Sequence, residues 1–179
     1  MQRRIAEVLG YLDTTRDALQ RTLAEIPPEL RERRPSPESW SVAEVLQHLA
    51  LTEGRITEVV AGCMDRVRES GFAPEHETTP VGASFDIDRV LDRSRPVVAS
   101  DAVLPVEPLG SNAAWERLER CRAKLRELVI SADGLPLAKV TVPNRVLGPL
   151  DGYQWTLFAG AHEARHTAQI REIGERLLG

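Results

Sequence analysis

The chain has 179 residues, 42% hydrophobic and 28% charged, with 23 Lys and Arg against 27 Asp and Glu for a formal charge of -4. A chain of this length can bury roughly 70% of its unfolded surface, so neither disulfides nor a structural metal is needed to hold a core. An acidic chain without a basic stripe does not suit nucleic acid, and no stretch approaches the roughly 18 apolar residues of a membrane span.

Met1 to Glu7 lacks the apolar run of a secretion signal, and Cys63 and Cys121 have no CxxC partner. Both cysteines fit buried free thiols in a reducing compartment. The expectation is one soluble, cytoplasmic domain over residues 1–179.

Ile5, Val8, Leu9, Leu12, Leu19, Leu23 and Ile26 recur at helical spacing until Pro27-Pro28, which predicts a first helix over about residues 2–25. Ser41 followed by Glu44 is a capping box that opens a second helix. Its apolar face runs through Val42, Val45, Leu49, Ile56, Val59, Val60, Cys63 and Val67, with His48 at the edge, and it stops at Gly71.

Residues 71–110 are broken by Pro74, Pro80, Pro96, Pro105 and Pro108, and only Phe85 to Arg93 suits a short helix. A connection of that length crosses a bundle or carries function. Ser111 or Asn112 then caps a third long helix with Trp115, Leu118, Leu125, Leu128, Val129 and Ala132 on one face, ending near Asp133-Gly134. Lys139 to Val142 suits a brief extended piece.

Asp151 and Gln154 form a second capping box, and Trp155, Phe158, Ala159, His162, His166, Gln169, Ile170, Ile173 and Leu177 make one stripe almost to the carboxyl terminus. Four amphipathic helices with one long crossover between the second and third predict an all-α, antiparallel four-helix bundle.

His162 and His166 stand where leucines would be expected on that stripe. A dehydrated imidazole must find a hydrogen-bond or metal partner. Residues four apart on a helix point the same way, so the pair can face one point, and His48 would complete a three-nitrogen site for a divalent ion if the second and fourth helices are neighbours; the bland alternative is hydrogen-bonded core or surface histidines with His48 on a helix flank. Three neutral imidazoles leave coordination positions open, where a metal can activate water or bind a substrate thiolate or oxygen.

The neighbours of these histidines carry weaker signals. Gln169, one turn along the same face, is a candidate to orient a ligand ring or hydrogen-bond a bound water. Glu44 reads as a capping residue first and as a carboxylate fixing an imidazole tautomer second. Trp155 is a candidate pocket wall, though core is the commoner role for such an aromatic. Glu163 and Arg165 lie about 100 degrees off the flanking ligand positions and are expected to face solvent or the next helix. His76, in the polar segment Glu75-His76-Glu77-Thr78, is read as a solvated side chain outside the site. No Ser/His/Asp order, Gly-rich phosphate loop or paired carboxylates offer a competing centre.

The run Trp40-Ser41-Val42-Ala43-Glu44-Val45-Leu46-Gln47-His48-Leu49, followed far downstream by His162-Glu163-Ala164-Arg165-His166-Thr167-Ala168-Gln169-Ile170, resembles the DinB-like superfamily of small bacterial proteins. The resemblance covers essentially the whole chain. It implies a four-helix bundle in which His48, His162 and His166 bind one divalent metal, commonly zinc or nickel, often in a homodimer. It also implies a metal-dependent hydrolase, or a transferase that uses a low-molecular-weight thiol such as bacillithiol or mycothiol, acting on a small molecule. For such a cofactor's carboxylates Arg89, Arg93 and Arg95 are available, although their ordinary role is as solvated charges. The alternative is a non-catalytic bundle that uses the metal for stiffness or ligand sensing. A structural site would be closed by a fourth protein ligand, and neither helix offers an obvious one.

Overall fold

A computed structural model describes residues 1–94, 97–106 and 109–179. Of the crossover residues singled out above, Arg95, Pro96 and Pro108 lie outside these. Four long helices carry the fold: α1 (Arg3–Ala24), α2 (Val42–Glu69), α4 (Ser111–Ser131) and α5 (Gly152–Leu178), with a short α3 (Ile87–Leu91) inside the crossover. At the start of α2 the Ser41 hydroxyl accepts the Glu44 N–H at 3.2 Å while the Glu44 carboxylate accepts the Ser41 N–H at 2.8 Å. Asp151 and Gln154 exchange the same two bonds at the start of α5.

Two apolar clusters reveal the helix directions. One joins Ile5, Val8 and Leu12 of α1 to Ile56, Val60 and Met64 of α2, Leu125 and Val129 of α4, and Tyr153 and Leu157 of α5. The other joins Leu19 and Leu23 of α1 to Val42 and Leu46 of α2, Ala114 and Leu118 of α4, and Ile170 and Ile173 of α5. The start of α1 therefore lies level with the end of α2, the end of α4 and the start of α5. Two helices run each way, in up-down-down-up order. The main packing pairs are α2 with α4, α1 with α5, and α2 with α5.

Because α2 and α4 run the same way, the chain must travel back the length of a 28-residue helix, about 42 Å, before α4 can begin. The Glu7 carboxylate anchors the return by accepting the N–H groups of Val81 and Gly82, both at 2.9 Å. Val81, Phe85 and Val90 are buried in the first cluster, and α3 packs on α5. Val103 then meets α2 through the bond to His48 described below.

Several boundaries differ from those expected. The crossover helix is shorter than Phe85 to Arg93, because the Asp86 carboxylate caps it by accepting the Arg89 N–H and Phe85 turns into the core. Gly110 stands at the cap of α4, where Ser111 or Asn112 was expected, and Ser111 is the first helical residue. The extended piece expected at Lys139 to Val142 begins at Thr141: β1 (Thr141–Asn144) pairs antiparallel with β2 (Gly148–Asp151), Thr141 opposite Asp151. Its turn is held by Asn144, whose side-chain oxygen accepts the N–H groups of Val146 and Leu147. Cys63 is buried, Cys121 is half-buried, and neither is in a disulfide. Among the described residues, no helix is long and apolar enough to cross a membrane.

Candidate functional site

His48 comes from the second turn of α2, and His162 and His166 come from the middle of α5, whose neighbouring face packs on α2. The three Nε2 atoms converge. That of His162 lies 3.3 Å from His48 Nε2 and 3.2 Å from His166 Nε2. Nitrogens held about 2.0 to 2.1 Å from one tetrahedral zinc ion stand about 3.3 to 3.4 Å apart, so the spacing fits a shared cation. Among the described residues no cysteine or carboxylate joins this group.

Two Nδ1 positions are already committed. His48 Nδ1 lies 2.8 Å from the Val103 carbonyl, which can only accept, so the proton sits on Nδ1 and the lone pair on Nε2. His166 Nδ1 lies 2.7 Å from Gln169 Oε1, with the same consequence. Two lone pairs thus face His162 Nε2, which carries at most one proton and can satisfy only one of them. A cation at their centre would satisfy all three.

Burial is the main force acting on the rings' charge. It pushes His162 well below the ordinary imidazole pKa, reinforced by His166, His48 and Arg165. Burial, with the charge of His48, holds His166 down to about 3 despite the favourable Gln169 contact. Burial lowers His48 too, partly offset by the Val103 carbonyl. All three are therefore neutral and ligand-ready at neutral pH.

A folded-state pKa below the unfolded value means that the unfolded chain binds more protons. For His166 that stability is full above about pH 6.5 and is lost as the pH falls toward about 3, at up to about 1.4 kcal/mol per pH unit, and His48 and His162 act in the same direction. Metal-free protein should become steeply less stable to urea between pH 6.5 and 4, and a variant with His162 and His166 replaced by Leu should lose most of that slope, keeping only the part due to His48. Equal slopes would show that the rings are not buried neutral.

Aromatic rings frame the triad: Trp40 stacks obliquely on His48 at 5.1 Å between centroids and Phe158 on His162 at 5.6 Å. Trp155, the expected pocket wall, instead packs in the core against Phe158, with its N–H donated to the Val142 carbonyl at 3.2 Å. Glu44 is not a partner of His48. It closes the capping box and pairs with Arg34, which together hold its carboxyl below the usual range against the opposing effect of burial. Of those neighbours, Gln169 touches a triad ring. Removal of a hydrogen-bond partner of this kind typically costs 10- to 100-fold in metal affinity. Gln169→Leu is expected to weaken zinc binding by about that factor in a chelator competition, and unchanged affinity would show the contact to be incidental.

Arg165 turns to the crossover, donating to the carbonyls of Val90 and Asp92. Arg93 forks onto Glu172 at 2.5 and 2.7 Å, and Arg89 donates to the Val146 carbonyl. His76 is exposed, as expected. Two shallow depressions lie elsewhere, one bordered by Leu23, Arg31 and Trp115 and one by Arg117, Arg120 and Cys121, and neither includes a triad histidine.

Of the two places expected for Glu163, solvent or the next helix, the structure gives the second, and the carboxylate is fully buried. It belongs to an ion network that takes one member from each long helix: Arg16 of α1, Glu53 of α2, Arg122 of α4 and Glu163 of α5. Arg16 lies 2.8 Å from Glu163 and 3.3 Å from Glu53; Arg122 lies 2.5 Å from Glu53 and 3.1 Å from Glu163. The half-exposed Glu119 caps Arg16 from outside.

Fold and site together define a helical bundle with a three-histidine cluster between two of its long helices. The model of the DinB superfamily matches residues 11–170, and the chain belongs to that superfamily. It is 28% identical over 150 residues to the uncharacterized protein YuaE of Bacillus subtilis (strain 168), covering 83% of this chain and 86% of the relative. The crystal structure of TT2238, a four-helix bundle protein, shares the fold with a TM-score of 0.60 at 22% identity, covering 94% of this chain and 98% of the other.

Proposed function

We propose that His48, His162 and His166 bind one divalent cation, zinc or nickel, and that the protein is a metal-dependent enzyme acting on a small molecule. The observation that carries this reading is the convergence of the three imidazoles, with His162 Nε2 3.3 Å from that of His48 and 3.2 Å from that of His166, the ligand atoms of all three within 4.8 Å of one another, and two Nδ1 groups already hydrogen-bonded. A cation bound there supplies Lewis acidity and exchangeable positions at which water or a thiolate can be activated. The Val103 carbonyl and Gln169 keep two rings in the ligating tautomer, and Trp40 and Phe158 exclude water from the sides of the cluster.

Enzymatic use is favoured over a structural role because three protein ligands leave a zinc shell incomplete. All three ligands are neutral, so the ion keeps its full double charge and favours an anionic or thiol-bearing partner, which suits hydrolysis or transfer to a low-molecular-weight thiol such as bacillithiol or mycothiol. The test is to load purified protein with zinc or nickel and assay ester hydrolysis and thiol addition to a small electrophile, with His162→Ala as control. Activity that needs both the metal and His162 is expected. A wild type that binds neither ion at micromolar concentration would overturn the reading.

A further inference from the structure

The buried ion network marks the same level on every long helix. Arg16 lies between Leu12 and Leu19, Glu53 between Ala50 and Ile56, Arg122 between Leu118 and Leu125, and Glu163 between Ala161 and Ile170, where one apolar cluster ends and the other begins. Two positive and two negative side chains, each at most 8% exposed, make this layer. Such a layer is a poor source of stability, because dehydrating four charges costs about as much as their attraction returns. What it supplies is direction: a guanidinium fork satisfies a carboxylate only over a narrow range of helix rotation.

Helix α5 needs that constraint. Its face toward α1 is smooth, with Gly160 against the Tyr11 ring and Gly174 against Ile26, where an added Cβ would come within 2.7 and 2.8 Å of the neighbour. Small residues allow close approach but do little to fix rotation. An imidazole Nε2 stands roughly 7 Å from its helix axis, so a 10 degree rotation displaces it by roughly 1 Å, several times the tolerance of about 0.2 Å for a metal ligand.

The geometry points to Arg16, Glu53, Arg122 and Glu163 as positioning residues that set the rotation of α5 so that His162 and His166 aim at His48. Glu163 follows His162 directly and is gripped by arginines of α1 and α4, while Glu53, five residues after His48, is gripped by the same two arginines. The ligating faces of α2 and α5 are thus referred to one pair of guanidinium groups. The metal part of this inference rests on the reading of the triad as a metal site; the aiming of the rings does not.

The test replaces the whole layer by apolar residues of similar size, Arg16→Met, Glu53→Leu, Arg122→Met and Glu163→Leu together, a change that such networks commonly tolerate without unfolding. Three readouts follow: zinc affinity by chelator competition, the visible spectrum of the cobalt-loaded protein, and a crystal structure of the metal-free variant. The variant is expected to fold, to bind zinc at least tenfold more weakly, to give an altered cobalt spectrum, and to show the Nε2 atoms moved apart by about 1 Å or more. Wild-type affinity, spectrum and ring positions in the folded variant would overturn the inference. If the fourfold variant does not fold, Glu163→Gln, which keeps the shape and removes one charge, is put through the same three measurements with the same criteria. A wild type that binds no metal would sink the metal reading, while ring positions alone would still decide whether the network aims the histidines.

Discussion

His162→Ala is expected to abolish tight metal binding, lowering zinc affinity by at least three orders of magnitude while the bundle stays folded. Its Nε2 is the common neighbour, 3.3 Å from that of His48 and 3.2 Å from that of His166, so its loss leaves two ligands on separate helices with nothing between them. A two-nitrogen site has neither the ligand count nor the geometry of a zinc centre. Folding should survive, because the ring lies beside the apolar clusters that hold the helices and is a member of neither. Its removal also takes away that ring's share of the destabilisation at low pH. Metal content after dialysis, chelator competition and urea unfolding of the metal-free protein read these effects separately. His48→Ala and His166→Ala should behave alike, with His48→Ala also freeing the Val103 carbonyl that ties the crossover to α2. Full metal retention in any one of the three would remove that residue from the site.

The triad was legible in the sequence because its signal is local. Two histidines four residues apart on an otherwise apolar stripe break a pattern that can be counted, and both helix starts are written in capping boxes of four residues. The long Pro-interrupted segment announced a crossover between the second and third long helices, though not that α2 and α4 would run parallel. The ion network was not, and its signal is of another kind. Glu163 sits next to a ligand and about 100 degrees around the helix, the usual position of a solvated residue. Only the arrival of Arg16 and Arg122 from other helices, 147 and 41 positions earlier in the chain, converts it to a buried one. Likewise nothing in Val103 suggests a partner for His48, since the contact is made by its backbone carbonyl, which every residue possesses. Trp155 and Phe158 exchanged roles for a geometric reason: three residues apart on α5, one meets the hairpin carbonyl of Val142 and the other meets His162.

Breaking the network at a single point should cost as much stability as emptying a fully buried core position. Arg122 is 4% exposed, faces both buried carboxylates, and also donates to the Leu12 carbonyl at 2.6 Å. Arg122→Met leaves Glu53 and Glu163 sharing Arg16 alone, with one uncompensated negative charge in the core, a defect that typically costs about 3 to 5 kcal/mol. Burial already raises the Glu53 carboxyl above its ordinary pKa against the pull of Arg122 and Arg16, so loss of Arg122 raises it further. A carboxyl whose folded pKa lies above the unfolded one destabilises most at pH values above its folded pKa, and protonation relieves the strain as the pH falls through that value. Urea unfolding should therefore show a larger deficit relative to wild type at pH 8 than at pH 5. Adding Glu53→Leu removes the excess charge and leaves Arg16 with Glu163 as a neutral pair, so the double variant should be more stable than Arg122→Met alone. A double variant as unstable as the sum of its two single changes would mean that Arg122 and Glu53 are not energetically coupled, and would remove the ion network as the source of the Arg122→Met defect.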